Sequence, residues 1–205
     1  MDGTRTVGIL LFDDVEVLDA FGPYEVFNVA RTGGPDDGET KLFHVVTIAE
    51  SSAPVRARGD LIVQPHFTID DHPPLDILVV PGGFGTRAAV HNTTLLDWLR
   101  EQTERVDLRT SVCTGAFLYA EIGLLDGRSA TTHWGSIERM RDSYPSIDVQ
   151  EEVRFVEHDT VITSAGISAG IDMALHVVAR LHGLDAARTT ARYMEYDWRP
   201  KTESL

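Results

Sequence analysis

The chain has 205 residues and a single cysteine, Cys113, whose setting makes it the first candidate for chemistry. Cys113 lies in Ser111-Val112-Cys113-Thr114-Gly115, between an apolar strand-like segment and a helix-like segment. This pattern predicts a sharp strand-to-helix turn, the elbow that also exposes serine nucleophiles. The N-terminus of the following helix is expected to stabilise a thiolate and lower the thiol pKa. The alternative is a buried structural cysteine, which is common for free cysteines.

Two glycine-containing turns are candidate binding elements. Gly82-Gly83 follows the apolar segment DILVV, and its backbone N–H groups are predicted to point into a crevice as an oxyanion hole requires. The alternative is a tight turn without a ligand. The segment 166–170 (GISAG) lacks the GxGxxG pattern of dinucleotide sites, so we interpret it as a close turn whose Ile167 faces the pocket.

Four carboxylates, Asp13, Asp14, Glu16 and Asp19, follow the first apolar segment. Asp19 could hydrogen-bond the thiol and exchange a proton with it or with its adducts. It is equally suited to be a helix N-cap, because Ala-Phe-Gly-Pro follows it. We interpret the other three as solvated loop residues, although spacing alone does not choose among the four.

His133, in the segment TTHW, is a candidate for the far wall of the pocket, with a hydrogen-bonded structural role as the alternative. The other histidines show no metal-ligand spacing, and a lone cysteine provides no CxxC pair. The sequence therefore predicts no metal site and no cofactor.

The predicted elements alternate between strands and helices, which favours a doubly wound, mostly parallel sheet in one domain over residues 1–205. Strands are predicted at 6–12, 43–48, 76–80, 109–112, 129–132, 153–157 and 161–163, with a hairpin at 55–63. Helices are predicted at 19–30, 95–105, 115–122, 137–142, 169–181 and 186–193. A turn is predicted at 33–38, and the tail from residue 197 is expected to pack poorly. Flavodoxin-like strand order would bring the acids, the glycine turn and Cys113 to one sheet edge.

The charge balance limits the kinds of partner that the protein is expected to bind. Lysine and arginine number 18 against 32 aspartates and glutamates, a net charge of −14, so a phosphate backbone would be repelled. No apolar run approaches the roughly 20 residues of a membrane span. The N-terminal apolar segment reads as a first strand and not as a signal peptide. We therefore expect a cytoplasmic protein with a small-molecule substrate and without nucleic-acid or membrane partners.

Four segments, LLFDDVEVLDAFGPYEVF, DILVVPGGFG, TSVCTGAFLYAEIGLLDGRSATTHW and VITSAGISAGIDMAL, resemble the ThiJ/PfpI superfamily, whose fold is that of class I glutamine amidotransferases. They fall in order between residues 6 and 198. The resemblance implies a flavodoxin-like three-layer α/β/α sandwich, a homodimer, and a nucleophilic cysteine on the elbow beside a carboxylate from the first strand-to-helix junction.

Within this superfamily the sequence is most similar to the isonitrile hydratase branch, through LDAFGP, SVCTG and ATTHW. The resemblance implies that Cys113 is the nucleophile, Asp19 the proton-handling carboxylate, Thr114 a support for the adduct and Gly83 a backbone donor. It further implies hydration of isonitriles to N-formamides through a thiolate adduct, without a cofactor. PfpI-type peptidases have histidine after the cysteine, so Thr114 argues against a Cys-His protease.

Two alternatives stay open. One is a glyoxalase or deglycase acting on dicarbonyls, with His133 and either Asp19 or Glu16 assisting. The other is a small-molecule or redox sensor, since AraC-type regulators carry similar ligand domains. Those regulators continue into a basic helix-turn-helix region, whereas this sequence ends at Leu205, so we expect no DNA binding. The enzymatic hypotheses require the Cys113 sulfur to be exposed at the sheet's carboxyl edge, within hydrogen-bonding reach of Asp19.

Overall fold

The fold is built on a seven-stranded sheet in the computed structural model, which describes residues 4–32 and 40–200. The predicted turn at 33–38 lies outside the described residues. The strands of this sheet are β1 Arg5–Leu10, β2 Phe43–Ala49, β3 Phe67–Thr68, β4 Ile77–Val80, β5 Leu108–Val112, β6 Phe155–His158 and β7 Val161–Ser164. Their order is β6-β7-β5-β4-β1-β2-β3, and every pair is parallel except β6 with β7.

Helices cover both faces of this sheet. They are α1 Val17–Val29, α2 Thr86–Ala89, α3 Thr93–Arg105, α4 Ala116–Glu121, α5 Ile137–Ser143, α6 Ala169–His182 and α7 Leu184–Tyr193. Three two-stranded ribbons join Arg31–Thr32 to Thr40–Lys41, Val55–Arg56 to Ile62–Val63, and Ser129–Ala130 to Asp148–Val149. Single 3-10 turns occur at Arg58–Asp60, Cys113–Gly115 and Trp134–Ser136. The predicted hairpin at 55–63 is thus confirmed.

Alternating strand residues divide the interior into two cores. Ile9 and Val79 face the layer of α1, α6 and α7, whereas Leu10 and Val80 face the layer of α3, α4 and α5. Because successive strand side chains point to opposite faces, a central parallel strand covered on both sides must be apolar throughout. This explains why the sequence shows continuous apolar runs here, and it confirms the predicted three-layer α/β/α sandwich.

The structure differs from the prediction in a few elements. Helix α1 begins at Val17, so Asp19 lies inside its first turn and is not the N-cap; that position belongs to Glu16. Strand β3 has only two residues, too few for a recognisable pattern, and was missed. The predicted strand at 129–132 is shorter. In the C-terminal tail Trp198 packs against the core, so the expectation of poor packing is wrong there.

The strand order brings the candidate residues together. Strands β1, β4 and β5 are adjacent and parallel, so their carboxyl ends meet at one edge of the sheet. The predicted neighbourhood of these three strands is confirmed. Within the described ranges no helix is both long enough and apolar enough to traverse a membrane.

Candidate active site

Cys113 occupies a strained elbow between β5 and α4. Its φ is +58°, a left-handed conformation that non-glycine residues rarely adopt and that functional sites often hold. The turn fits closely, because a Cβ added to Gly115 would collide with the carbonyl oxygen of Val80. Two hydrogen bonds fix the backbone: Thr132 Oγ1 donates to the Cys113 carbonyl at 2.8 Å, and the Cys113 N–H donates to Ala165 O at 3.3 Å.

Asp19 is the acid that the fold places beside the thiol. Asp13 and Asp14 are exposed, whereas the Asp19 side chain is completely buried. Its Oδ2 accepts a hydrogen bond from the Gly82 N–H at 3.1 Å, and the Cys113 thiol lies near enough to this carboxyl group to lower its pKa. The other carboxylate oxygen, Oδ1, is buried without a hydrogen-bond partner among the described residues. The carboxyl group therefore keeps capacity for a proton.

Burial has the largest effect on the pKa values of Asp19 and Cys113. It raises the pKa of Asp19 to about 7, although hydrogen bonds from Cys113 and Gly82 act in the opposite direction. It also raises the pKa of the Cys113 thiol, and the adjacent Asp19 charge raises it further. The expected lowering by the helix N-terminus is therefore wrong for the resting site: desolvation and a neighbouring negative charge prevail, and α4 has only 6 residues. At neutral pH Cys113 therefore rests as a thiol with the Asp19 carboxyl group beside it.

The glycine turn does not offer the donors that the sequence predicted. The Gly82 N–H donates to Asp19, and the Gly83 N–H donates to Thr114 Oγ1 at 3.0 Å. Thr86 Oγ1 also donates to Thr114 Oγ1, at 3.1 Å. The glycines are needed for close approach, since a Cβ at Gly82 would lie 2.5 Å from the Thr114 nitrogen. Gly82 and Gly83 thus position Asp19 and Thr114, and the oxyanion-hole geometry predicted for them is not present in this arrangement.

Cys113 lines an open cavity of about 320 Å³. The residue is only 6% exposed, so the expectation of an exposed sulfur is wrong, although the residue does line the cavity. The lining residues come from six segments of the chain: Glu16, Arg58, Gly83, Phe84, Arg87, Cys113, Thr114, His133, Trp134, Gly135, Ser136 and Ile167. A small molecule in the cavity can therefore reach the thiol, and the buried Asp19 lies beside that thiol.

His133 and Ile167 lie where the sequence suggested, on the cavity wall. The His133 Nδ1 accepts a hydrogen bond from the Gly135 N–H at 3.1 Å, and its ring packs against Gly166. Ile167 has a φ of +46°, and its backbone N–H interacts with Asp19 and lowers the pKa of that carboxyl. A catalytic role for His133 and a substrate contact for Ile167 stay predictions.

Several cavity residues were missed by the sequence reasoning. Glu16, interpreted as a solvated loop acid, lines the cavity and lies 3.5 Å from Arg58 in an ion pair. Arg58 belongs to the predicted hairpin, which gave no sign of reaching the site. Thr132 was visible only as part of ATTHW, and Thr86 had no sequence signal. Over residues 4–32 and 40–200 there is no group of three or more His, Cys, Asp and Glu side chains that could hold a metal ion.

This fold and this elbow define a class, and the comparisons with known proteins identify it. The chain belongs to the DJ-1/PfpI family, which it matches over residues 5–180. It is 34% identical to the isonitrile hydratase of Pseudomonas putida over 199 residues, covering 97% of this chain and 81% of that protein. A crystal structure of a ThiJ/PfpI family protein from Pseudomonas syringae superposes with a TM-score of 0.84 at 30% identity, covering 98% of this chain and 78% of that one.

Regulators also resemble this chain. It is 34% identical to the HTH-type transcriptional regulator CdhR of Pseudomonas aeruginosa over 142 residues, which cover 69% of this chain but 42% of the regulator. The matched part thus spans less than half of that protein. The comparisons therefore include both an enzyme and a regulator with a similar domain.

Proposed function

We propose that the protein is an isonitrile hydratase, which converts isonitriles and water into N-formamides through a covalent adduct on Cys113. The observation that carries this proposal is the buried carboxyl group of Asp19 beside the thiol of Cys113, a residue that lines the cavity. The similarity to the Pseudomonas putida isonitrile hydratase over nearly the whole chain supports the choice of reaction.

The first half of the reaction uses the raised pKa of Asp19. A carboxyl group with a pKa of about 7 both accepts and releases a proton near neutral pH, the property of an efficient general acid–base. Asp19 takes the thiol proton as the Cys113 sulfur bonds to the terminal carbon of the isonitrile. Asp19 then gives this proton to the same carbon. The product is a thioimidate, in which sulfur, hydrogen and the C=N bond share one carbon.

The second half hydrolyses the thioimidate. Asp19, again a carboxylate, takes a proton from water as the oxygen bonds to the carbon, and it passes this proton to the nitrogen. The C–S bond then breaks, the hydroxyl proton returns through Asp19 to the sulfur, and the N-formamide leaves. One water is consumed and the enzyme is regenerated. The covalent adduct divides a difficult hydration into two easier steps.

The groups around Cys113 and Asp19 hold these two residues in position and do not react themselves. Thr114 Oγ1 accepts from the Gly83 N–H and from Thr86, which fixes the residue that follows the nucleophile. Thr132 holds the Cys113 carbonyl. Fixed geometry of this kind lets the reacting atoms meet without further ordering. We therefore assign Thr114 a supporting role beside the adduct.

The test is direct detection of N-formamide after mixing the purified protein with cyclohexyl isocyanide. The expected result is turnover by the wild type and a loss of about 10³-fold or more in Cys113→Ala, because the covalent route disappears. Cys113→Ser, which is nearly the same size, controls for packing. A thioimidate adduct of the expected mass on the peptide containing Cys113 would support the mechanism. Full formamide production by Cys113→Ala would end it.

A ligand-binding sensor is the second candidate, favoured by the similarity to CdhR over 69% of this chain. An oxidation sensor fits less well, because burial raises the thiol pKa and the thiolate is the form that oxidants attack. Tight binding of an isonitrile without formamide would favour a sensor. Lactate formed from methylglyoxal, with no turnover of cyclohexyl isocyanide, would favour a glyoxalase instead.

We also propose that the protein is a cytoplasmic homodimer that works without a cofactor. The homodimer follows from the family resemblance, and the chemistry above needs only water as a second reactant. Sedimentation velocity would give the mass in solution, and a monomer at micromolar concentration would contradict the dimer. Activity that survives exhaustive dialysis against a chelator is expected.

A further inference from the structure

The charges on the cavity wall do not balance. The chain carries a net charge of −14, yet two arginines line the cavity that holds Cys113. Arg58 is paired with Glu16 at 3.5 Å. Arg87 has no ion pair with any residue in the described part of the chain. The open cavity therefore carries a positive side chain that is not paired with any carboxylate of residues 4–32 and 40–200.

An aromatic ring places Arg87 at the wall. The Phe84 ring lies 4.8 Å from the Arg87 guanidinium carbon and 4.4 Å from that of Arg58. A cation–π contact holds a guanidinium at a defined place without supplying an anion. The fork of N–H donors on Arg87 thus remains available to a ligand, in the geometry that suits a carboxylate.

A second arginine, Arg139, lies near Arg87, and it too has no ion pair among the described residues. Arg87 also lines a neighbouring cavity of about 200 Å³, together with Arg139. The Arg139 guanidinium lies 3.9 Å from the Phe117 ring centroid, and its Nε is buried without a hydrogen-bond partner among the residues described. Burial lowers the pKa of Arg139, and the nearby Arg87 charge lowers it further. Glu121, on the same cavity, is engaged by the Tyr144 hydroxyl at 2.6 Å.

We propose that Arg87, with Arg139 near it, binds a carboxylate of the substrate, so that the preferred substrates are isonitriles that carry a carboxylate group. The assignment of the reacting group rests on the proposed hydration; the anion subsite itself rests on the unpaired arginines. A protein this acidic repels anions in general, so a local positive wall at the nucleophile is what an anionic substrate requires. The apolar part of such a substrate would lie against Phe84 and Trp134, which are 52% and 82% exposed.

The first experiment compares two aryl isonitriles that differ only in a para carboxylate or its methyl ester. We expect the wild type to have a higher kcat/KM for the carboxylate at low ionic strength. In Arg87→Gln the ratio of carboxylate to ester should fall about tenfold, the size of one charge-assisted hydrogen bond. Arg87→Lys keeps the charge without the planar fork and should fall between the two.

The matched control is Arg105→Gln. Arg105 ends α3, which leads into the amino end of β5, and its only ion pair in the described ranges is with Glu101 in the same helix. This variant should keep the wild-type ratio. Added salt should reduce the preference in the wild type, because the subsite is open to solvent.

A second measurement does not depend on hydration. Since Cys113 is the sole cysteine of the sequence, its alkylation can be followed by mass without interference. The rate with anionic iodoacetate relative to neutral iodoacetamide should be higher in the wild type than in Arg87→Gln. The subsite proposal is wrong if Arg87→Gln changes neither the carboxylate-to-ester ratio of kcat/KM nor the iodoacetate-to-iodoacetamide ratio of alkylation rates. Absence of formamide from both isonitriles would overturn the hydratase alone, and the alkylation ratio would still decide the subsite.

Discussion

Two cavities of similar volume open at the same edge of the sheet, and of the two only one is lined by a cysteine with a buried acid beside it. The cavity with Cys113 measures about 320 Å³ and lies at the ends of β4 and β5. The other measures about 340 Å³ and lies at the ends of β1 and β2, where Leu11 and Ala49 form part of its wall. Volume and position in the fold therefore do not separate them.

The two cavities differ in how far their carboxylates are exposed to water. In the second cavity Asp13 and Glu50 are exposed and already bonded: Asp13 accepts from the Arg56 N–H at 2.9 Å, and Glu50 from Asn92 Nδ2 at 2.5 Å. In the first, Asp19 is completely buried beside a thiol. A solvated carboxylate stays ionised at neutral pH, whereas a desolvated one exchanges protons there. A crevice at the sheet edge thus becomes a candidate site only when the packing removes water from an acid.

The largest effect should come from removing the proton-exchanging group. Asp19→Asn keeps the shape and the acceptor for the Gly82 N–H but cannot take the thiol proton. We expect formamide production to fall by about 10²- to 10⁴-fold, the usual contribution of a positioned acid–base. Steady-state kinetics with cyclohexyl isocyanide would measure it, with circular dichroism to verify the fold. A variant retaining a third of the wild-type rate would show that the buried acid is not what distinguishes the two cavities.

The pH dependence of the rate should follow Asp19. The reactive pair has lost one proton, so kcat/KM should rise about tenfold per pH unit below pH 7 and level off above the Asp19 pKa of about 7. The raised pKa of the thiol places the second deprotonation well into the alkaline range. A profile measured from pH 5 to 9 would show one ascending limb. A rise centred near pH 4 would mean that Asp19 is solvated, like the acids of the second cavity.

The desolvation of Asp19 should also make the free energy of unfolding depend on pH. This free energy should fall as the pH rises, whereas kcat/KM should rise. Because the pKa of Asp19 is raised from 3.8 to about 7 on folding, the native state binds the extra proton between these values. The stabilisation is complete below pH 4 and is lost as the pH rises through 7, by up to about 4 kcal/mol. Urea unfolding of the wild type and Asp19→Asn at several pH values would measure it. As the pH rises, the free energy of unfolding of the wild type should fall relative to that of Asp19→Asn. A difference that does not change with pH would contradict the raised pKa of the buried Asp19.

The smallest effect should come from the second cavity. Glu50→Gln keeps an acceptor for Asn92 and removes only an exposed charge. We expect kcat/KM to stay within about twofold and the free energy of unfolding within about 0.5 kcal/mol. The formamide assay and urea unfolding described above apply unchanged. A large loss of activity would show that this cavity takes part in the reaction and would remove the contrast between the two.

The sequence predicted the elements of the site better than its chemistry. The apolar runs of β1, β4 and β5 are set by burial on both faces, so the strand type was readable from the residues. Their neighbourhood followed from the assumption of a flavodoxin-like strand order. The elbow at Cys113 was equally readable, because a short polar segment between a strand and a helix leaves few conformations. The two-residue strand β3 and the packing of Trp198 were not, since neither has a periodic pattern.

The sequence could not predict which side chains accept from the backbone N–H groups of the site or which ring the arginines contact. The N–H groups of Gly82 and Gly83 were expected to face a ligand, but they donate to Asp19 and Thr114, which come from other segments. Likewise the roles of Arg58 and Arg87 depend on Phe84, to which both guanidinium groups are close. Spacing along one strand or helix cannot reveal which distant side chain meets a given donor. The single domain over residues 1–205 stays a prediction.

By itself, the sequence determined that a thiol follows a buried parallel strand, that glycines allow close approach around it, and that one of four acids stands near. These features are local, because they depend on backbone conformation and on the periodicity of apolar residues. Only the tertiary structure decided which acid loses its water, and with it whether the cysteine rests as a thiolate or as a thiol beside a base. Desolvation depends on every group packed around an atom, and those groups come from segments far apart in the chain.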